Sequence, residues 1–198
     1  MMKKTLCLGL ILFLLLSSGF SSADGVIPNL RSEPTASPTP GVFVFRGGIQ
    51  WNMSREAVKA LENVELTERT QDGWSILFPT VHVTVSRFTA DLVYMFYNDQ
   101  LKMISYDFGS GWTDGDFQYL TGALDSVYGD HTEPPASDII GIMDQIYPGY
   151  YTADKLTARR GWTAEGTLIY QYYYAGSACA VLYVNAGSPA GVYDTTGL

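Results

Sequence analysis

Between residues 90 and 129, apolar and polar positions follow two different periods in succession. ADLVYMFYNDQLKMISYDF alternates about Asn98-Asp99, which predicts two antiparallel strands joined by a tight turn. GSGWTDGDFQYLTGALDSVYG then places Phe117, Leu120, Thr121, Leu124, Val127 and Tyr128 at i, i+3, i+4 and i+7, the spacing of one buried helical stripe. A hairpin and a helix adjacent in sequence each carry an apolar face, and packing one on the other removes both from water.

The hairpin register is ambiguous. A two-residue Asn98-Asp99 turn pairs Phe96 with Leu101 and Tyr94 with Met103, leaving Ile104, Tyr106 and Phe108 on the opposite face. A three-residue loop instead aligns Leu92, Tyr94, Phe96, Ile104, Tyr106 and Phe108. The pattern therefore requires a longer loop or a β-bulge between Leu101 and Ile104, and it does not choose between them.

Upstream, Val42 to Phe45 read as a short strand followed by a Gly47-Gly48 turn. A helix follows, capped by Asn52 or Ser54, with Glu56 in its positive first turn and Ala57, Val58, Leu61 and Val64 as its buried stripe. ELTERTQ and WSILF flank Asp72-Gly73, a strong hairpin signal. In VHVTVSRF, Val81, Val83 and Val85 alternate with His82, Thr84 and Ser86 as in a half-buried strand. Downstream, Gly129 closes the long helix, Glu133-Pro134-Pro135 breaks the chain, and a short helix is expected between Asp138 and Tyr147. TLIYQYYYA, Gly176-Ser177 and ACAVLYVN form a last hairpin. These elements add up to an α+β domain with helices packed on one face of a curved antiparallel β-sheet.

The N-terminal pattern belongs to targeting rather than to the fold. Lys3 and Lys4 precede an apolar run too short to span a bilayer, and Ser21-Ser22-Ala23 supplies the small residues of a cleavage site. The expected organisation is a signal peptide over residues 1–23, a Pro/Ser/Thr-rich linker over 24–41, the domain over 42–187 and a loose tail over 188–198. Cys7 lies within the apolar run, which argues against a lipid anchor. The chain reads as secreted, outside the cell or in the envelope, without a stable membrane anchor.

Cleavage after Ala23 leaves 10 basic and 20 acidic residues, a charge of −10. That balance disfavours nucleic acid and anionic lipid. Cys179 alone survives cleavage, so no intramolecular disulfide forms, and its apolar surroundings predict a buried, inert thiol.

Catalytic signatures are missing from the sequence: there is no Walker loop, GxSxG, CxxC, HExxH or dinucleotide fingerprint. His82 and His131 have no cysteine partner, so no metal or other cofactor is expected. Asp114 and Asp116, at the start of a helix, read as charges complementing its dipole.

FRGGIQW, NMSREAVKAL, FYNDQLKMISYDF and LDSVYG occur in an order that resembles bacterial envelope domains sharing the fold of the β-lactamase inhibitory protein and of the small lipoprotein of the outer-membrane β-barrel assembly machine. The resemblance covers roughly residues 43–129. Asn52 and Asp99 stand where that pattern has glycines, and no lipobox is present. It implies helices on one face of a sheet whose other face is left for partners. Asp72 and Asp99 occupy hairpin tips, the kind of position from which the inhibitor inserts an aspartate, but no surrounding motif matches and neither is assigned that role.

The resulting expectation is a non-catalytic domain that binds a protein partner, with inhibition of an extracellular or envelope enzyme as its narrower form. The alternatives are a hydrolase acting on cell-wall or extracellular substrate and a structural module of envelope assembly. The expected contact surface is a tyrosine face. A two-residue Gly176-Ser177 turn places Tyr170, Tyr172, Tyr174 and Tyr183 together with Cys179 and Val181, and tyrosine combines an apolar body with a polar tip.

Overall fold

The computed structural model describes residues 42–71, 73–175 and 178–187. The elements run α1 (Arg55–Leu61), β1 (Leu66–Gln71), β2 (Trp74–Pro79), β3 (Val83–Val85), β4 (Phe88–Tyr97), β5 (Gln100–Asp107), α2 (Asp114–Tyr128), α3 (Ala136–Met143), β6 (Leu156–Ala164), β7 (Thr167–Tyr174) and β8 (Ala178–Asn185). Seven strands form one antiparallel path in the order β1-β2-β4-β5-β8-β7-β6, and β3 pairs with β4 alone. The regions read as signal peptide, linker and tail lie outside the described residues.

The β4–β5 hairpin resolves the parity conflict with a bulge. Asn98 and Asp99 adopt φ of 51° and 57°, the left-handed pair of a two-residue hairpin turn. Tyr97 faces Gln100 and Phe96 faces Leu101, but Met95 faces Met103, so Lys102 is the extra residue. From there inward, Leu92, Tyr94 and Phe96 share a face with Leu101 and Ile104, while Met95 and Met103 turn to the other. The bulged Lys102 is buried, and its Nζ donates to Asn52 Oδ1 and Gln100 Oε1 at 2.9 Å.

Both faces of the sheet are core. On one face lie α1 and α2, as expected. Ser54 caps α1 by accepting from the Ala57 N–H, and only Val58 of that helix is buried. Thr113 and Asp116 form a reciprocal capping box at the start of α2, which buries Phe117, Leu120, Thr121 and Leu124. Val127, counted in the expected stripe, is exposed. Gln171 of β7 is fully buried; its Nε2 donates to the Phe117 carbonyl and its Oε1 accepts from Thr121 Oγ1, tying α2 to the sheet. On the other face α3 and the turn after it lay Ile139, Ile142, Met143 and Ile146 over Met95, Met103, Leu182 and Val184. Each such aliphatic burial stabilises by about 1.5–3 kcal/mol. The α+β class is as expected, with α3 as an added layer on the second face.

Further local expectations change: Val81 is exposed, and of VHVTVSRF only Val83–Val85 form β3 before β4 opens at Phe88. Val44 makes only a single bridge, to Gln50, across a turn at 46–48. β6, which the hydrophobic pattern did not mark, forms one edge of the sheet; β1, with LTERTQ largely exposed, forms the other and is kept polar. In the last hairpin Tyr174 faces Ala178 and Tyr173 faces Cys179, one residue out of the expected register. Ala175 is thereby left out of the pairing, and Gly176 and Ser177 lie outside the described residues.

Candidate binding groove

The one-residue shift dissolves the expected tyrosine face, because a slip of one position sends every side chain to the opposite side. Tyr170, Tyr172 and Tyr174 point toward α3, whereas Tyr183 packs on the α2 side against Phe45 at 5.3 Å and Tyr106 at 6.1 Å between ring centres. None is open to solvent: relative exposures are 8%, 3%, 4% and 8% in that order. Tyr174 is covered by Tyr151, ring centres 5.0 Å apart, and its hydroxyl donates to the Tyr150 carbonyl. Burial holds the Tyr172 and Tyr183 hydroxyls well above their ordinary pKa. The expectation of an exposed, four-tyrosine contact surface is corrected accordingly.

Tyr170 borders a groove, and the chain builds that groove at the β6 edge. After Gly129 ends α2, Thr132 exchanges two backbone hydrogen bonds of 2.9 Å with Gly161. Arg159 Nε donates to the Pro134 carbonyl at 3.0 Å, holding the same segment against β6. A Cβ on Gly161 would come within 3.3 Å of both Pro134 Cγ and Thr132 Oγ1, so glycine is what admits this close approach. Trp162 is fixed from behind, its indole N–H shared between Asp125 Oδ1 and the Gly129 carbonyl, each at 3.0 Å. Pro135 then directs the chain into α3.

The resulting groove has a volume of about 440 Å³ and is lined by Gly161, Trp162, Thr163, Leu168 and Tyr170 of the sheet and by Thr132, Pro134 and Pro135 opposite. Its remaining lining is acidic: Asp130, Glu133 and Asp138, with no lysine or arginine. Arg159 approaches Glu133 at 3.6 Å, while Asp130 and Asp138 make no ion pair among the described residues. Burial, and then the nearby Asp138 charge, raise the Tyr170 pKa, so its phenol stays neutral. Such a site favours a cation and offers an apolar surface for the stem that carries it.

The other groups singled out by the sequence are engaged locally. Asp99 accepts from the Arg55 backbone N–H and, at 2.7 Å, from Arg55 Nε; Arg55 also pairs with Glu68. These bonds depress the Asp99 carboxyl and raise Arg55. Asp116 completes the α2 cap and pairs with Arg87 at 2.9 Å, as a helix-start charge should. His82 pairs with Asp91, and His131 with Asp125 at 2.9 Å. No cluster of three or more His, Cys, Asp or Glu able to hold a metal occurs among the described residues. Cys179 is fully buried, its thiol pushed up to about 12 chiefly by desolvation, which fits an inert core cysteine. Asp72 lies outside the described residues.

Asp107 accepts from the Gly109 backbone N–H at 2.8 Å, a bond that favours its charged form. It is half-buried at the end of β5, directly across from Asp91, and desolvation raises its carboxyl above the ordinary value. Sequence reasoning passed over it, as it did Asp130, Glu133, Asp138 and Trp162. Glu133-Pro134-Pro135 read only as a chain break, and no pattern placed it beside Gly161.

No family model, curated protein or solved structure matches this chain. Among the described residues no helix is long and apolar enough to cross a membrane.

Proposed function

We propose that this chain is a secreted bacterial domain that binds a protein partner without catalysis, exported by a signal peptide over residues 1–23. The observation that carries this reading is the groove between β6 and α3, with its apolar floor and three carboxylates. Helices of the chain itself pack on both broad faces of the sheet, and the seam offers a concave surface beside them. If the bound partner is an enzyme that the domain inhibits, Asp99 is not the inserting group, because Arg55 already holds it. The likeness of residues 43–129 to envelope and inhibitor domains is fold-level analogy and adds little about mechanism.

The test is affinity capture from the source culture with the wild-type chain beside Thr163→Arg, which plants a charge at an exposed position in the groove. A partner retained by the wild type and lost by Thr163→Arg supports the reading. Its recovery with the membrane fraction would favour an envelope-assembly module.

One observation favours the hydrolase alternative: the raised carboxyl of Asp107 opposite Asp91. Turnover of cell-wall or extracellular substrates that survives purification and disappears in Asp107→Asn would establish the enzyme instead.

A further inference from the structure

The groove's size and lining narrow the partner's chemistry, an inference that rests on the binding reading above. At about 440 Å³ the groove lies near the lower end of binding-site volumes, roughly 300–1,000 Å³. That space admits one or two side chains from a protruding segment, not the surface of a folded domain. An apolar occupant would strip water from Asp130, Glu133 and Asp138 and return no counter-charge, which is costly. An anionic occupant would add repulsion. Arg159 serves Glu133 from the side of β6 and does not line the groove; Asp138, in the first turn of α3, accepts only from Ser137 Oγ at 3.3 Å, and neither it nor Asp130 has an ion pair among the described residues. Leu168, Pro134 and the Tyr170 ring offer apolar surface to a methylene stem. The charge of −10 on the exported chain steers basic segments toward it.

We propose that the groove receives a lysine or arginine side chain presented by an extended segment of the protein partner. The stem lies on Leu168 and Tyr170, and the cationic head sits between Asp130 and Asp138, with Glu133 at the rim.

The test uses defined probes: fluorescein-labelled acetyl-Gly-Val-Lys-Val-Gly amide, its arginine counterpart and its glutamate counterpart, followed by anisotropy. The groove is neutralised in one variant (Asp130→Asn, Glu133→Gln, Asp138→Asn). A control removes the same number of charges away from its lining (Glu56→Gln, Asp114→Asn, Asp154→Asn). The lysine and arginine peptides bind and the glutamate peptide does not. The groove variant weakens binding by about tenfold or more, the control by less than about twofold, with weakening in added salt. Thr163→Arg reproduces the loss with an unchanged melting temperature, which separates blocked binding from misfolding.

Equal losses in the two triple variants mean general attraction to an acidic protein and overturn the inference. So does binding of the glutamate peptide, or no binding of either cationic peptide at millimolar concentration. A natural partner that is captured equally by the wild type and the groove variant leaves the binding reading standing and sinks this inference alone. Failure of the wild-type chain to capture any partner sinks the reading itself.

Discussion

The two faces of the sheet are buried by different means. On the α2 face a fifteen-residue helix with a reciprocal capping box lies across the strands, and Gln171 and Thr121 lock it with buried hydrogen bonds. On the α3 face the helix has eight residues and no side-chain cap, and a turn rich in tyrosine completes the cover. One face is held by a regular element and directional polar contacts, the other by apolar and aromatic contact with little local helix stabilisation. A short cap over a wide sheet leaves an uncovered margin, and the groove opens at that margin. The difference places the proposed partner site at the seam beside the weaker cover.

The largest expected effect is on the α3 face. Tyr172→Ala empties a buried aromatic site and should cost about 3–5 kcal/mol, measured by denaturant unfolding. A cost below about 1 kcal/mol would mean that α3 does not cover this residue. On the opposite face, Gln171→Ala removes the two buried hydrogen bonds that tie α2 to the sheet, leaving Thr121 Oγ1 bonded to the Phe117 carbonyl alone, and should cost about 1–3 kcal/mol. Equal losses for the two substitutions would blur the proposed contrast between packing and hydrogen bonding.

Gly161→Ala probes the seam. The added methyl meets Pro134 and Thr132 at 3.3 Å, and displacing that segment should cost about 1–2 kcal/mol while changing Trp162 fluorescence. A stable variant with unaltered fluorescence would show that the segment yields freely.

The smallest effect at neutral pH is that of Tyr172→Phe, about 0.5–1.5 kcal/mol, because the mutant keeps the ring and loses only the hydroxyl's hydrogen bond with Tyr151. Its signature is alkaline. In the folded chain the Tyr172 pKa lies well above the ordinary value of 10.0, so above pH 10 the unfolded state loses a proton that the folded state keeps. Stability therefore falls as pH rises past 10, and Tyr172→Phe should make that decline shallower by up to about 1.4 kcal/mol per pH unit. An unchanged slope would place Tyr172 in contact with water.

These elements also show what a sequence can disclose. The β4–β5 bulge was legible as a conflict: no regular two-residue hairpin keeps Leu92, Tyr94 and Phe96 on the face of Ile104, so an irregularity was required, and Lys102 supplies it. α2 was legible because one face of it meets water. The β7–β8 register was not, since both faces of those strands are buried and near-continuous apolar runs carry no alternation to fix it. An assumed register one residue out then put Tyr183 beside Tyr170, Tyr172 and Tyr174. β6 escaped notice because Arg159, Arg160 and Gly161 interrupt its pattern, and their partners in residues 132–134 come from a distant part of the chain. The groove depends on that long-range pairing, so its residues had no local signal.

The central claim is that the chain's own α3 segment covers the tyrosines of β7, leaving the β6 seam for a partner. Nitration of the native chain with tetranitromethane, mapped by mass spectrometry, tests it directly. Tyr119 and Tyr150, exposed to 44% and 60%, should be modified readily, while Tyr172 and Tyr174, at 3% and 4%, stay unmodified until the chain is unfolded. Modification of Tyr172 at the rate of Tyr119 in the folded chain would contradict the account and return the tyrosine face to the surface.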